Sequence, residues 1–583
     1  MSQAEDRGKP PPGPATRTHD VVVVGAGIAG ALVAHRLARA GLDVLLVEAG
    51  ERPYFALDSG ADEREELLER FYAAPVKSTN SAFPNLPYAP STDETILEDY
   101  YVQGGPDAFQ STYLRMVGGT TYHWLGTSLR YSPNTFREHT AYGVASDWPL
   151  SYDQLEDYYW RAETELGVSG DPDAALAAPR RPNHPFPMPP ILPTYNDRLV
   201  MAATAGLTFD GLPVEVVTTP QARNSIPYQD RPPCAGSANC IPLCPIQAKY
   251  DASVHLKMAW NPALDHSAPP GARAAEALLG AVLAKVLVSD GQVSGLLVKR
   301  PDRSEQVVRG RIYVLAMNAI ETAKTLLASA AEGVPNGVAN SSDVVGRYLM
   351  DHDVVITYAT LPRPAYLFRG PLSTAGVESL RDGPFRSHRG AFRIELQNTG
   401  TSWATNSPFA NVVDLVDAGF TGERLRRQLA WDVSRQIELN GLIEPHPDPD
   451  NTVRPSATLV DELGIPRPEL RYRVGEYSRR GAAAFVEAAT AIYGRLDATG
   501  VTVQPGWQGA GHLMGTVRMG SDPRSSCCDS FGRSHDHPNL FLTGSGLFPT
   551  VDAANPTLTI AALALRTAEH IAATLRQASE ATP

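Results

Sequence analysis

The chain has 583 residues, 43% of them hydrophobic and 20% charged, and carries a formal net charge of −13. This is enough apolar material for a large core, and a chain of this length is expected to divide into more than one domain. Its Lys and Arg residues are scattered, and an acidic surface without a basic cluster argues against binding nucleic acid or anionic lipid.

No stretch reads as a transmembrane helix. The apolar run from Val21 to Ala34 is short and interrupted by Gly25, Gly27 and Gly30. Residues 1–18 are polar and Pro-rich, which predicts a disordered tail rather than a signal peptide. The expected location is cytoplasmic by default. A place on the periplasmic, outer face of the membrane would require a partner to carry the chain there.

Val21–Val24 is an apolar run of the kind found in buried parallel strands. The glycine-rich turn GAGIAG, the helix-like AGALVAHRLARA and the strand-like DVLLVE follow, ending at Glu48. In Gly25-Ala26-Gly27-Ile28-Ala29-Gly30 the first glycine permits the tight turn. The second lets backbone approach a pyrophosphate, and the third lets helix pack on strand. The helix N-terminus offers free N–H groups to an anion, and Glu48 stands where an acid binds ribose hydroxyls. The fingerprint occurs once, at the N-terminal end, which favours a tightly held FAD over a diffusible nicotinamide.

SYDQLEDYYWRAETELGV predicts a helix capped by Ser151, and the Pro-rich 178–193 an ordered surface crossing or a linker. AVLAKVLVSDGQVSGLLVKR predicts a hairpin turning at Asp290-Gly291, RIYVLAM a short buried strand and AIETAKTLLAS a helix. Alternation within 352–475, as in AFRIELQN and SRQIELNGLIE, predicts an antiparallel sheet. NLFLT reads as a strand, and PTLTIAALALRTAEHIAATL as a long helix with Pro556 in its first turn.

Five cysteines are too few for a disulfide scaffold, yet Cys234, Cys240 and Cys244 fall within eleven residues. Their pattern, C-x5-C-x3-C-P, fits iron–sulfur ligation, where a Pro after the last cysteine turns the chain away from the cluster. Zinc would want a fourth ligand at short spacing, and His255 or Asp251 match poorly. Three small residues packed in a tight loop remain the alternative. His352, and the pair His535 and His537, are expected to be structural, and Cys527 and Cys528 have no assigned role.

The chain resembles the glucose–methanol–choline (GMC) family of flavin oxidoreductases, above all the large flavoprotein subunits of bacterial gluconate, sorbitol, fructose and glucose dehydrogenases. Pyranose oxidases are more distant relatives. The resemblance rests on GAGIAG with Glu48, YLRMVGGTTYHWLGTSLRY, DWPLSYDQLEDYYWRAETELGVSG, CAGSANCIPLCPIQAKY, LAMNAIETAKTLL, VGRYLMDHD, HLMGTVRMG and RSHDHPNLFLTGSGLFPTVDAANPTLTIAALALR. Asn318 departs from the Gly of many relatives. The family implies an α/β fold, α+β overall. A doubly wound FAD-binding domain, residues 19–130, 234–350 and 506–583, is interleaved with an antiparallel-sheet substrate domain, residues 131–233 and 351–505.

The family also implies site residues. His512 would be the base that takes the alcohol proton, a task that suits a near-neutral imidazole, and Asn555 would hold the substrate oxygen. Gly118, Gly119, Thr120, His123, Trp124, Gly544, Asn555, Pro556 and Thr557 would join Gly25, Gly27, Ile28, Ala29, Gly30 and Glu48 around FAD. His123 would either carry a covalent flavin link or pack on the cofactor. Cys234, Cys240 and Cys244 would hold a [3Fe-4S] cluster that passes electrons to a cytochrome c subunit, with a small escort subunit as a further partner. The expected reaction is oxidation of an alcohol on a sugar, polyol or sugar acid. An O2-dependent pyranose, glycoside or amino-sugar oxidase is the alternative enzyme. A non-catalytic flavin-binding subunit is the alternative outside enzymes.

Overall fold

A computed structural model describes residues 17–53, 55, 64, 100–238, 240–241, 243–398 and 409–580. Residues 1–16 of the expected tail lie outside them. The valines of β1 (Thr18–Val24) are buried on both faces, which is why the strand reads as a continuous apolar run. The turn at Gly25 leads into α1 (Ile28–Arg39), and β2 (Val44–Val47) returns parallel to β1. The N-terminal unit is therefore the expected βαβ.

After β3 (Val102–Gln103), helix α2 (Tyr152–Leu166) starts at a complete capping box between Ser151 and Gln154. Helix α3 (Tyr195–Thr204), β4 (Val216–Thr218), α4 (Ser253–Trp260) and β5 (Glu276–Leu278) follow. The hairpin of β6 (Val282–Ser289) and β7 (Gln292–Lys299) turns at Asp290 and Gly291, both at positive φ. Strand β8 (Glu305–Leu315) is longer than expected. Its first half pairs antiparallel with β7, and its later residues run parallel to β1. Helix α5 (Ala319–Ala328) is N-capped by Asn318, whose side chain takes the N–H groups of Ile320 and Glu321.

The later half contains β9 (Arg347–Met350), β10 (Asp353–Thr360), β11 (Ser373–Val377) and β12 (Phe392–Gln397). Helices α6 (Phe409–Asp417) and α7 (Gly422–Arg435) come next, then β13 (Gln436–Ile443), β14 (Thr452–Val460), β15 (Pro466–Arg471) and α8 (Glu476–Arg495). Strands β16 (Thr499–Val503), β17 (Gln508–Gly509), β18 (Met514–Thr516) and β19 (Leu540–Leu542) precede α9 (Thr557–Glu580).

Among the described residues, three large sheets and a two-stranded ribbon of Thr208–Phe209 with Leu212–Pro213 result. The first runs β5-β2-β1-β8-β7-β6, with β19 beside β8. The second runs β18-β9-β14-β15-β3. The third, β16-β10-β13-β12-β11-β4 with β17 beside β10, is antiparallel throughout. The expected sheet within 352–475 thus exists as β10 to β13, with two corrections. Residues 409–435 include the helices α6 and α7, and β14 and β15 belong to the second sheet. Pro556 stands just ahead of α9 rather than inside its first turn, and its carbonyl accepts the Ile560 N–H. Residues Thr557–Ala578 are also long and apolar enough to cross a membrane, against the expectation of no such stretch. Helix α9 is 67% buried over its most apolar window and packs on α1 and α2, which accounts for its hydrophobicity.

Candidate active site

Backbone geometry builds the dinucleotide cradle. Gly25 turns at φ +101°, and a Cβ on Gly30 would lie 1.8 Å from the Gly25 carbonyl oxygen. A Cβ on Gly27 would meet nothing within 4 Å and would project into open space. That space is a cavity of about 140 Å³ lined by Gly25, Gly27, Glu48, Gly119 and Thr120. It adjoins a cavity of about 640 Å³, to which it is joined along Gly27, Thr120, Met317 and Asn318. Gly118 sits behind the wall, where its N–H donates to the Ala26 carbonyl at 3.1 Å.

Glu48 is buried, and its two oxygens accept the N–H groups of Ala26 and Gly50, each at 2.7 Å. Burial pushes its carboxyl up while these N–H groups pull it down. Glu48 lines the smaller cavity, and a carboxylate has about four acceptor sites, so Glu48 can also accept from ribose hydroxyls. An elongated pair of cavities, glycines at the turn and this carboxylate fit an extended dinucleotide such as FAD.

The larger cavity gathers Ile28, Ala29, His123, Trp124, His512, Gly544, Asn555, Pro556 and Thr557 from five separate segments. His512 Nδ1 lies 2.9 Å from His352 Nδ1, and His352 Nε2 lies 2.6 Å from the Asp552 carbonyl oxygen. A carbonyl only accepts, so His352 Nε2 carries a proton. Burial holds His352 at about 4, so it is neutral and its Nδ1 has a lone pair. The short Nδ1–Nδ1 contact therefore requires His512 Nδ1–H to donate to His352. His512 Nε2 is left bare, and the Asn555 Nδ2 group faces it at 3.4 Å. Burial, with a smaller contribution from His352, holds His512 well below its ordinary value, so this lone pair persists at neutral pH. Asn555 Oδ1 is buried without a hydrogen-bond partner.

The backbone of His512 is fastened as well. Its N–H donates to Asp351 Oδ1 at 3.0 Å, and Ser111 donates to Asp351 Oδ2 while accepting the Gly511 N–H at 2.7 Å. Burial pushes Asp351 up to about 7. His352, expected to be merely structural, thus adjoins the centre. Its pairing with His512 spans 160 positions and leaves no local sequence signal.

His123 lines the same wall, held at about 3 by burial and by Lys249. Lys249 Nζ donates to the carbonyls of Tyr122 at 2.7 Å and Trp124 at 2.5 Å. Lys249 follows the cysteine loop, where Cys240 is buried and Cys234 and Cys244 are half-buried. Ile241, between the last two cysteines, lines the larger cavity. The sulfurs of Cys234 and Cys244 accept the N–H groups of Gly236 and Lys249 at 3.4 and 3.5 Å. Buried Arg223 is within electrostatic reach of Cys234, and buried Arg231 of Cys244, and each has Nε and Nη1 atoms without hydrogen-bond partners.

Among the described residues, the three cysteines are not a group whose ligand atoms all lie within 4.8 Å of one another. Sulfurs around one tetrahedral zinc at about 2.3 Å would lie closer than that. Three thiols in one loop, with two buried guanidinium groups in electrostatic reach, are a donor set whose charge an iron–sulfur cluster could share. His535 and His537 have separate partners, Ser526 and the Gly291 carbonyl, as structural histidines would.

A family model described as GMC oxidoreductase matches residues 447–564, and one described as FAD dependent oxidoreductase matches residues 20–61. The fructose dehydrogenase large subunit of Gluconobacter japonicus is 36% identical over 96% of this chain and 99% of its own. The 6'''-hydroxyparomomycin C oxidase of Streptomyces lividus is 31% identical over 97% of this chain and 93% of its own. Among solved structures, pyridoxine 4-oxidase from Mesorbium loti superposes with a TM-score of 0.61 at 16% identity, covering 95% of this chain and 99% of its own. A formate oxidase superposes at 0.62 with 15% identity, covering 96% and 99%. These two share the fold. With near-complete coverage by relatives above 30% identity, the chain belongs to the GMC oxidoreductase family of FAD-dependent oxidoreductases.

Proposed function

We propose that this enzyme oxidises an alcohol carbon of a sugar or polyol and delivers the electrons to an acceptor other than oxygen. One observation carries the alcohol chemistry: the hydrogen-bond chain from His512 through His352 to Asp552 leaves a bare His512 Nε2 in the cavity wall. FAD, when bound, supplies the hydride acceptor. His512 Nε2 takes the hydroxyl proton, and Asn555 holds the same oxygen through its amide. Asp351 and Ser111 keep the His512 backbone in place. Glu48 and the turn at 25–30 hold the dinucleotide, and His123 and Trp124 line the wall of the larger cavity. A neutral His123 is in the protonation state that a covalent flavin link needs.

The relative at 36% identity is the large subunit of a fructose dehydrogenase, which supports a sugar substrate and a partner subunit. Cys234, Cys240 and Cys244 are proposed to hold a three-iron cluster, with Ile241 placing their loop against the cavity. A cytochrome c subunit then receives the electrons, and a small escort subunit accompanies the chain. The S. lividus relative is named an oxidase, which keeps reduction of O2 as the competing reading.

The test uses protein purified anaerobically. About three irons and matching acid-labile sulfide per flavin, dye reduction by sugars and little peroxide are expected. Stoichiometric peroxide without iron would overturn the acceptor assignment in favour of an oxidase. Cys240→Ser should lose the iron while substrate still bleaches the flavin.

A further inference from the structure

The third sheet has two unlike faces. On β12, Phe392, Ile394 and Leu396 join Phe485 of α8 in an apolar cluster, and so do Ile437, Leu439 and Ile443 of β13. The alternate residues of β12 are Arg393, Glu395 and Gln397. Glu395 and Gln397 line the larger cavity together with Asn440 and Leu442 of β13 and Val354 of β10. Glu395 and Asn440 are register partners across the two strands. Side chains directly opposite lie close enough to act on one ligand. The same cavity is lined by His512 and Asn555.

Asn440 Oδ1 is buried without a hydrogen-bond partner, and Gln397 Nε2 donates to Glu395 Oε2 at 3.2 Å. A buried amide oxygen left unpaired is costly unless a ligand satisfies it. The charges behind this row alternate. Asp552 pairs with Arg381 at 3.0 Å, Arg381 with Glu378 at 3.3 Å, Glu378 with Arg393 at 2.7 Å, and Arg393 with Glu395. Three carboxylates thus alternate with two guanidinium groups, and the end that reaches the cavity is the carboxylate of Glu395. Arg386 does not redress the balance, since Glu444, Glu138 and Asp382 surround it. Among the described residues lining the larger cavity there is no Lys or Arg.

We propose that Glu395, Gln397 and Asn440 are the hydroxyl-recognition row of the substrate cavity, which accepts neutral polyols and protonated amino sugars and rejects sugar acids. Carboxylate and amide oxygens accept from hydroxyl or ammonium donors, and the amide N–H groups donate to hydroxyl oxygens. A substrate carboxylate finds no cation in this wall and meets the acidic group of Glu395, whose carboxyl burial pushes up while Arg393 pulls it down. This rests on the proposed sugar or polyol oxidation and narrows its substrate class.

The experiment measures kcat/KM with an artificial acceptor for three compounds of one skeleton: a neutral sugar, its amino sugar and its acid. The acid is expected to be at least about tenfold poorer than the neutral compound. Glu395→Gln should raise the acid relative to the neutral sugar by about tenfold. An acid used as well as the neutral sugar by the wild type, or a ratio unmoved in Glu395→Gln, overturns the recognition row. If Glu395→Gln fails to bind flavin, Asn440→Ala decides: an increase of about tenfold in KM for polyols supports the row, and an unchanged KM overturns it. If only simple aliphatic alcohols are oxidised, the sugar assignment itself fails, and the row fails with it.

Discussion

The turn at residues 25–30 and the inner face of the third sheet both border the cavities, yet they are built on different principles. The turn works through backbone. Gly27 contributes an absence of side chain, and β1 and α1 fix its geometry from neighbours within thirty residues. The sheet works through side chains whose position depends on pairing. Glu395 meets Asn440 because β12 and β13 are in that register, and one step of slippage of β12 would turn Glu395 into the apolar cluster under Phe485. Recognition of a dinucleotide can therefore be local, whereas discrimination among substrates is assembled from afar.

The sharpest way to break the comparison is at the turn. Gly27→Leu should give a colourless protein that does not take up FAD, because the side chain would occupy the space the cofactor needs. Retained flavin absorbance would show that the turn is not the cradle. At the chemical centre, His512→Ala should lose about 10²- to 10⁴-fold in turnover with flavin still bound. A near-normal rate at neutral pH would remove His512 from the role of base.

His352→Leu should cost less, on the order of 10- to 10²-fold, since it removes the acceptor that sets the His512 tautomer. Its pH profile carries the diagnosis. A depressed His512 is neutral above its folded value and loses its lone pair as pH falls through it. The wild-type acid limb of kcat/KM should therefore lie below the ordinary histidine value of about 6.5. As pH falls, His352 itself becomes charged near 4 and opposes protonation of His512, so removing it should move the limb to higher pH. An unshifted limb would make His352 a packing residue.

On the apolar face of the same sheet, Phe485→Ala should destabilise by about 3–5 kcal/mol in denaturant melts with little change in KM. A large change in KM would mean that the two faces are not separate. The smallest effect belongs to Ser151→Ala, which should cost about 1 kcal/mol through the cap of α2 and leave kinetics alone.

The local elements of this protein were determined by its sequence alone: the βαβ unit, the hairpin at Asp290-Gly291 and the helix capped at Ser151. Each is decided by neighbours a few residues apart, where periodicity, turn chemistry and caps act. The same holds for most of the candidate list, since GAGIAG, the cysteine spacing and the blocks around His512 and Asn555 are contiguous strings. The helices α6 and α7 escaped a reading that extended strand alternation across 352–475. Only the tertiary structure decided that His352 fixes the tautomer of His512, that Arg223 and Arg231 come within electrostatic reach of the cysteines, and that Glu395 faces the cavity. These are contacts between segments far apart in the chain. Their energies depend on burial and on hydrogen-bond direction within a few ångströms, quantities that exist only once the chain has folded.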